Sequence, residues 1–293
     1  MKLLITGASG LLGTRVCELA LKQNHTIFAA YSQHIPRYGT STKLDLTDKT
    51  AIKEVFRKVD PEVVIHAAAL TDVDECEKEK ELAWKINTEA TSNIAQLCHE
   101  HSSFLVYVST DYVFNGEKGN YRESDQTDPI NYYGLTKLKG EEQVIQSVAQ
   151  HCIARTSVIY GSIPAAGKTN FALWLIDKLG RKEATRTVTD QWNSPTLNTN
   201  LAEMILEIVE RRISGTFHLA GATRLSRFDF ATHIAEAFNL EKNCIIPASS
   251  KEMPWLAKRP RDTSVNVDKA KQTLKNKPLP IIAALKRLKI ETR

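Results

Sequence analysis

A tyrosine and a lysine four residues apart give this chain its first chemistry. In Asn131-Tyr132-Tyr133-Gly134-Leu135-Thr136-Lys137, a helix puts Tyr133 and Lys137 on one face, a turn apart. A phenol with a pKa of about 10 is a poor acid at neutral pH, and a nearby ammonium favours the phenolate and lowers that value. Such a tyrosine can exchange a proton with a substrate oxygen. The spacing alone is a weak signal, since a surface helix with one Tyr and one Lys satisfies it equally.

Two further stretches supply context. Lys2-Leu3-Leu4-Ile5-Thr6 reads as an apolar strand. Gly7-Ala8-Ser9-Gly10-Leu11-Leu12-Gly13 follows, then an amphipathic helix with Leu12, Val16, Leu19 and Ala20 on one side. Strand, glycine turn and helix is the setting in which glycines let a backbone approach a pyrophosphate, with helix amides as donors. A tight turn without a ligand is the plainer alternative. Phe104-Leu105-Val106-Tyr107-Val108 runs directly into Ser109, Thr110, Asp111 and Tyr112. Ligands of open parallel sheets sit beyond the strands' carboxyl ends. Ser109 and Thr110 are therefore expected to face the crevice of the glycine turn, or else merely to cap a turn.

The elements that must hold these groups alternate. Strands are expected at 26–31, 63–66, 152–156 and 216–219, and helices near 49–59 and from Pro129 onward. Apolar helix stripes at Leu201, Ile205, Ile208, Val209 and at Ala231, Ile234, Ala235, Phe238 read as core. Alternation of this kind predicts an α/β, doubly wound parallel sheet with right-handed crossovers. Strand two ends in Tyr31-Ser32-Gln33-His34 with Arg37 after it, and carries no acid. A carboxylate there would hold a ribose 2′-hydroxyl and a cation a 2′-phosphate. NADPH is therefore favoured, with NADH as the alternative and Ser32, His34 and Arg37 as candidate phosphate contacts.

The composition excludes several classes. The chain has 293 residues, 42% hydrophobic and 25% charged, enough for one large domain or a domain with a smaller lobe. No long apolar run predicts a membrane span, and the N-terminus reads as a strand rather than a leader. Five scattered cysteines, with no Cys-x-x-Cys, read as reduced thiols of a cytoplasmic protein. Net charge is +5, but residues 251–293 hold 12 Lys/Arg against 4 Asp/Glu. That basic end lacks interleaved aromatics, so a solvated face is expected and no nucleic-acid partner. Asp72, Asp74, Cys76 and Glu77 form no closed ligand set, and no metal is expected.

Gly7/Gly10/Gly13, His66-Ala67-Ala68-Ala69, Ser109-Thr110-Asp111-Tyr112-Val113-Phe114 and Asn131-Tyr132-Tyr133-Gly134-Leu135-Thr136-Lys137 occur together. Later come Arg155-Thr156-Ser157, Asp190-Gln191, Ser194-Pro195-Thr196, Gly215-Thr216-Phe217-His218 and Arg259-Pro260. On these marks nearly the whole chain resembles the extended short-chain dehydrogenase/reductases, and within them the dTDP-4-dehydrorhamnose reductase family.

The resemblance implies a Rossmann-type NAD(P)-binding domain of 1–156 and 200–222. A smaller C-terminal substrate-binding lobe would comprise 157–199 and 223–293. It implies cofactor contacts from Gly7, Ser9, Gly10, Leu11, Leu12, Gly13, Ser32, Arg37, Asp45, Leu46, Ala67, Ala68, Ala69, Tyr133 and Lys137. Thr110, Tyr133 and Lys137 would be catalytic. Ser109, Thr110, Asp111, Tyr112, Tyr133, Val158 and Arg259 would meet a nucleotide-sugar substrate. Asn87 would steady the lysine. The implied reaction is reduction of a 4-keto deoxysugar, most simply dTDP-4-dehydro-6-deoxy-L-mannose to dTDP-L-rhamnose. Many relatives carry tryptophan where Val158 stands, so the sugar is open and Trp192 is a candidate replacement. Some relatives dimerise through a metal held partly at the place of Arg15, so a homodimer stays open but not that metal. Two rivals remain. One is a reductase or epimerase of another nucleotide sugar. The other is a non-catalytic subunit resembling the methionine adenosyltransferase β-subunit.

Overall fold

The computed structural model describes residues 1–148 and 150–292. Seven strands form its centre: β1 (Lys2–Thr6), β2 (Thr26–Tyr31), β3 (Thr40–Lys43), β4 (Val63–His66), β5 (Phe104–Thr110), β6 (His151–Thr156) and β7 (Gly215–His218). All pair in parallel. Their order is β7-β6-β5-β4-β1-β2-β3. The chain winds outward from β1 to β3, then crosses back to β4. The reversal at β1/β4 is the place where such sheets open a ligand crevice.

The main helices are α1 (Leu11–Lys22), α2 (Lys49–Val59), α3 (Ala90–Glu100), α4 (Tyr132–Ser147), α5 (Phe171–Gly180), α6 (Asn198–Arg211), α7 (Arg227–Phe238) and α8 (Ile281–Glu291). Strand alternation sorts the core into two layers. Leu3 and Ile5 pack with Leu12 and Val16 of α1 and Leu201 and Ile205 of α6. Leu4 packs on the opposite face with Ile52 and Phe56 of α2, Ile94 of α3 and Val144 of α4. Both faces are covered, so β4 and β5 are buried along their whole length and read as continuous apolar runs. Each such buried side chain contributes about 2 kcal/mol. β3 is the exception. Thr40-Ser41-Thr42-Lys43 is mostly exposed at the sheet edge, where polar residues discourage further pairing.

Local chemistry fixes the helix ends. The Asp48 carboxylate accepts the amides of Thr50 and Ala51 at the start of α2, and Asp60 ends that helix at φ 45° before Pro61. Asn131 caps α4 by accepting the Gly134 amide at 2.9 Å. A separate cluster joins Tyr160, Leu175 of α5, Phe230 and Ile234 of α7, and Leu285 and Leu288 of α8. Three two-stranded pairings surround it, of which 185–188 with 245–248 is the longest. Ala270 and Leu274 return to the cluster beneath the sheet. Among the described residues, no helix is long and apolar enough to cross a membrane.

Candidate active site

The glycine turn is built as its spacing predicts. Gly7 has φ +68°, and a Cβ there would stand 2.8 Å from the Ala68 amide nitrogen. A Cβ on Gly13 would stand 2.1 Å from the Gly7 carbonyl. Glycine is therefore required at both positions, for the turn and for the close seating of α1 on β1. Gly10 caps α1 without a side-chain acceptor, which leaves the first helix amides available to an anion. Ala67, Ala68 and Ala69, partly exposed after β4, line the neighbouring strand end with small side chains. Ser32, His34 and Arg37 are all exposed in the segment after β2. Asp45 folds its carboxylate onto the Thr47 amide and hydroxyl, both at 2.8 Å, and these bonds hold its pKa low although slight burial opposes them. Leu46 packs on the second core layer.

The catalytic candidates converge where β5 ends and α4 begins. The Thr110 hydroxyl accepts the Tyr112 amide at 3.1 Å and donates to Asp111 Oδ1 at 3.1 Å. Tyr133 lies beside the same hydroxyl. Lys137, 2% exposed, donates from Nζ to the Val108 carbonyl at 2.8 Å and lies 4.0 Å from the Tyr107 ring centroid. Burial lowers the Lys137 pKa to about 7, against the opposing charge of Glu141. The expectation of a lowered phenol is corrected here. Burial raises the Tyr133 pKa above its ordinary value, against the influence of the neighbouring Thr110 hydroxyl, so the phenol is a neutral donor. Gly134 is forced by the same junction, since its Cβ would stand 2.2 Å from the Tyr112 carbonyl.

Ser109, one residue before Thr110, is turned from this meeting point. It is buried, and its hydroxyl donates to Glu141 Oε1 at 2.5 Å. Asn87 does not bond Lys137. It exchanges hydrogen bonds with both backbone groups of Leu70, at 2.8 and 3.1 Å, and donates to the Thr136 hydroxyl. It thus ties the segment after β4 to the turn that carries the lysine. His66 is part of the scaffold: its ring bridges Thr6 at 2.7 Å and Thr91 at 3.1 Å. Burial, then the Lys137 charge, holds its pKa near 3, so it is neutral.

On the far side, Asp111 is buried and accepts the hydroxyls of Ser157 at 2.7 Å and Thr263 at 2.5 Å. Burial raises its pKa against these bonds. Tyr112 meets Tyr133 edge to face at 6.0 Å, and its phenol is approached by Gln191 at 3.4 Å. Val158 adopts φ +39°, a strained conformation for a β-branched residue, and its carbonyl accepts the Thr196 amide. Arg259 pairs with Asp74 at 3.1 Å. It also borders a cleft of about 350 Å³ with Asp190, Gln191, Lys251 and Arg261. Asp74 therefore serves Arg259, and Glu77 accepts the Tyr132 amide at 2.8 Å. No group of three or more metal-ligating side chains occurs among the described residues. Trp192 carries the guanidiniums of Arg224 and Arg261 over its ring at 4.9 and 5.5 Å. Sequence reading missed Arg227, which sits near Tyr112, Asp111 and Arg259. Its guanidinium has no hydrogen-bond or ion-pair partner among the described residues, and nothing in its sequence neighbourhood marks it.

Residues 1–292 match the family described as RmlD substrate binding domain. The chain belongs to this family. A crystal structure of a dTDP-4-dehydrorhamnose reductase from Bacillus anthracis in complex with NADP is 32% identical. It superposes with a TM-score of 0.90 over 100% of both chains. A hypothetical dTDP-4-dehydrorhamnose reductase from Sulfolobus tokodaii is 40% identical, with a TM-score of 0.85 over 94% of this chain and 95% of that one. Methionine adenosyltransferase 2 subunit beta of Xenopus laevis is 33% identical over 86% of this chain and 78% of its own.

Proposed function

We propose that the chain is an NADPH-dependent reductase of the 4-keto group of a nucleotide-linked deoxysugar. The observation that supports this reading is that Thr110 ends β5 while Tyr133 and Lys137 stand one turn apart on the abutting helix α4, on the same edge of the sheet as the glycine turn. A dinucleotide suits the residues present. Gly7 and Gly13 leave no room for side chains, α1 begins without a side-chain cap, and Ser32, His34 and Arg37 lie exposed with no acid beside them. The solved relative named with NADP supports the same choice.

Bound nicotinamide supplies the hydride. Tyr133 holds the proton destined for the developing alkoxide and, being neutral, gives it without prior protonation. Thr110, beside that phenol, would meet the same oxygen, and Lys137 would offer its charge to the nicotinamide ribose. Positioning and alkoxide stabilisation are the terms these residues supply. Asp111 and Tyr112 line the substrate side, and Arg259 with Arg261 suits phosphate. In this reading 1–156 and 200–222 carry the cofactor, and 157–199 and 223–293 carry the sugar. The named substrate is dTDP-4-dehydro-6-deoxy-L-mannose, giving dTDP-L-rhamnose. Val158 cannot stack on the sugar as tryptophan does. With two guanidiniums already over its ring, Trp192 is a poor replacement.

The test is NADPH oxidation against a panel of nucleotide-linked 4-keto sugars. Faster turnover of another 4-keto sugar would move only the substrate assignment. The similarity to an adenosyltransferase subunit favours one second reading, a regulatory partner. Capture of an adenosyltransferase by a protein that binds NADPH yet oxidises it with no sugar would establish that role instead.

A further inference from the structure

Glu141 lies one turn beyond Lys137 on α4 and is 1% exposed. A carboxylate so deep is costly unless its oxygens are fully paired. Here they are. Oε1 accepts the Ser109 hydroxyl at 2.5 Å and Arg155 Nε at 3.0 Å, and Oε2 accepts Arg155 Nη2 at 2.7 Å. Ser109 and Arg155 stand opposite each other in the β5–β6 register. One carboxylate therefore clamps the carboxyl ends of two central strands under the helix. Lys137 fastens the preceding turn of α4 to β5 alone, through the Val108 carbonyl. Successive turns of α4 are thus fastened to Val108 and Ser109, immediately before Thr110.

Packing alone does not account for an ion pair at this depth, because well-packed apolar residues are often as stabilising there. Its remaining effect falls on Lys137. Around that ammonium lie Tyr107 of β5, 4.0 Å away at its ring centroid, and His66 of β4, which feels its charge; Tyr133 and Glu141 stand one turn before and after it on α4, and Arg155 of β6 holds Glu141. Tyr107 and His66 are neutral, since burial raises the one and lowers the other. Glu141 is the group that favours the charged lysine.

We propose that Glu141, held by Arg155 and Ser109 one turn beyond Lys137, is a positioning residue whose carboxylate keeps Lys137 charged for the cofactor. This rests on the dinucleotide reading of the site and not on the identity of the sugar.

NADPH dissociation constants, followed by nucleotide fluorescence on the full chain across pH, test it. The wild type is expected to lose affinity on the alkaline side as Lys137 deprotonates. In Glu141→Gln that limb moves down by about one pH unit, leaving binding about tenfold weaker than wild type at about pH 9 and nearly equal to it at about pH 5. Glu141→Asp retains the charge and keeps the wild-type limb. Uniformly weaker binding by Glu141→Gln at every pH overturns the proposal, because the residue then acts by packing alone. If Glu141→Gln is unfolded by circular dichroism, Arg155→Lys decides. Both charges remain in that protein, so its limb must stay in place, and a displaced limb overturns the proposal. A wild type without any alkaline limb overturns it too. Failure to reduce any 4-keto sugar with the limb intact strikes the proposed function instead and leaves this proposal standing.

Discussion

Burial pulls Tyr133 and Lys137 in opposite directions along the pH scale. The phenol rises well above its ordinary value and the ammonium falls to about 7. At neutral pH the site therefore holds a protonated donor beside a lysine that titrates. Tyr133→Phe keeps the ring and removes the proton. Turnover should fall about 10²- to 10⁴-fold while the NADPH dissociation constant barely moves. Steady-state kinetics with a cofactor titration checks this, and full turnover in that variant would remove Tyr133 from the mechanism. Lys137→Met should damage both quantities, and it should also stabilise the fold. The folded lysine titrates near 7, below its ordinary 10.5. As pH falls from 10.5 towards 7, the unfolded chain gains a proton that the folded one refuses, so stability declines across that window and then levels. Melting temperatures should thus favour Lys137→Met at pH 7, with the advantage gone above about pH 10.5. Equal melting curves at neutral pH would mean that the lysine is better solvated than its burial indicates.

At the level of elements, the glycine turn is the least forgiving part of the cofactor face. Gly13→Ala places a methyl 2.1 Å from the Gly7 carbonyl, so α1 must lift from β1. NADPH binding should weaken at least about tenfold, with a loss of about 1–3 kcal/mol in stability. Chemical denaturation and cofactor titration would show both, and unchanged values would mean that α1 shifts freely. The elements legible in the sequence were those with a contiguous signal. Lys49–Val59 was bounded by its polar entry and by Pro61, and β1, β2, β4 and β5 stood out as apolar runs. The four polar residues of β3 were not legible, because their strand is made by pairing with β2 and not by burial. The site divided in the same way. Gly7, Thr110, Tyr133 and Lys137 lie inside recognisable runs. The Glu141–Arg155 clamp, the Asn87–Leu70 bonds and Arg227 arise only when distant segments meet. Position at the carboxyl end of β5 points both Ser109 and Thr110 to the crevice, whereas strand alternation turns the two hydroxyls apart and sends Ser109 to Glu141.

Across the whole molecule, Arg15 links the cofactor helix to the C-terminal helix. It bonds Glu18 at 2.8 Å, Ser162 at 3.0 Å and Glu291 at 3.1 Å. Arg15 thus sets a guanidinium at the place where the resemblance puts a metal-holding acid, and a guanidinium is no metal ligand. Activity and oligomeric state should therefore survive EDTA in an assay combined with size-exclusion chromatography. Loss of either, restored by magnesium, would reveal a site outside this account. Cofactor choice belongs to this scale too, since it depends on the exposed segment after β2. Arg37→Ala should weaken NADPH about tenfold and leave NADH nearly unchanged, as paired titrations would show. Equal weakening of both would take Arg37 away from the 2′-phosphate. The most direct measurement of the central claim uses NADPH deuterated at nicotinamide C4 with dTDP-4-dehydro-6-deoxy-L-mannose, and reads the product by NMR. The expected result is deuterium at sugar C4 of dTDP-L-rhamnose with wild type and almost none with Tyr133→Phe. A bound cofactor that transfers no deuterium to any nucleotide-linked 4-keto sugar would contradict the account.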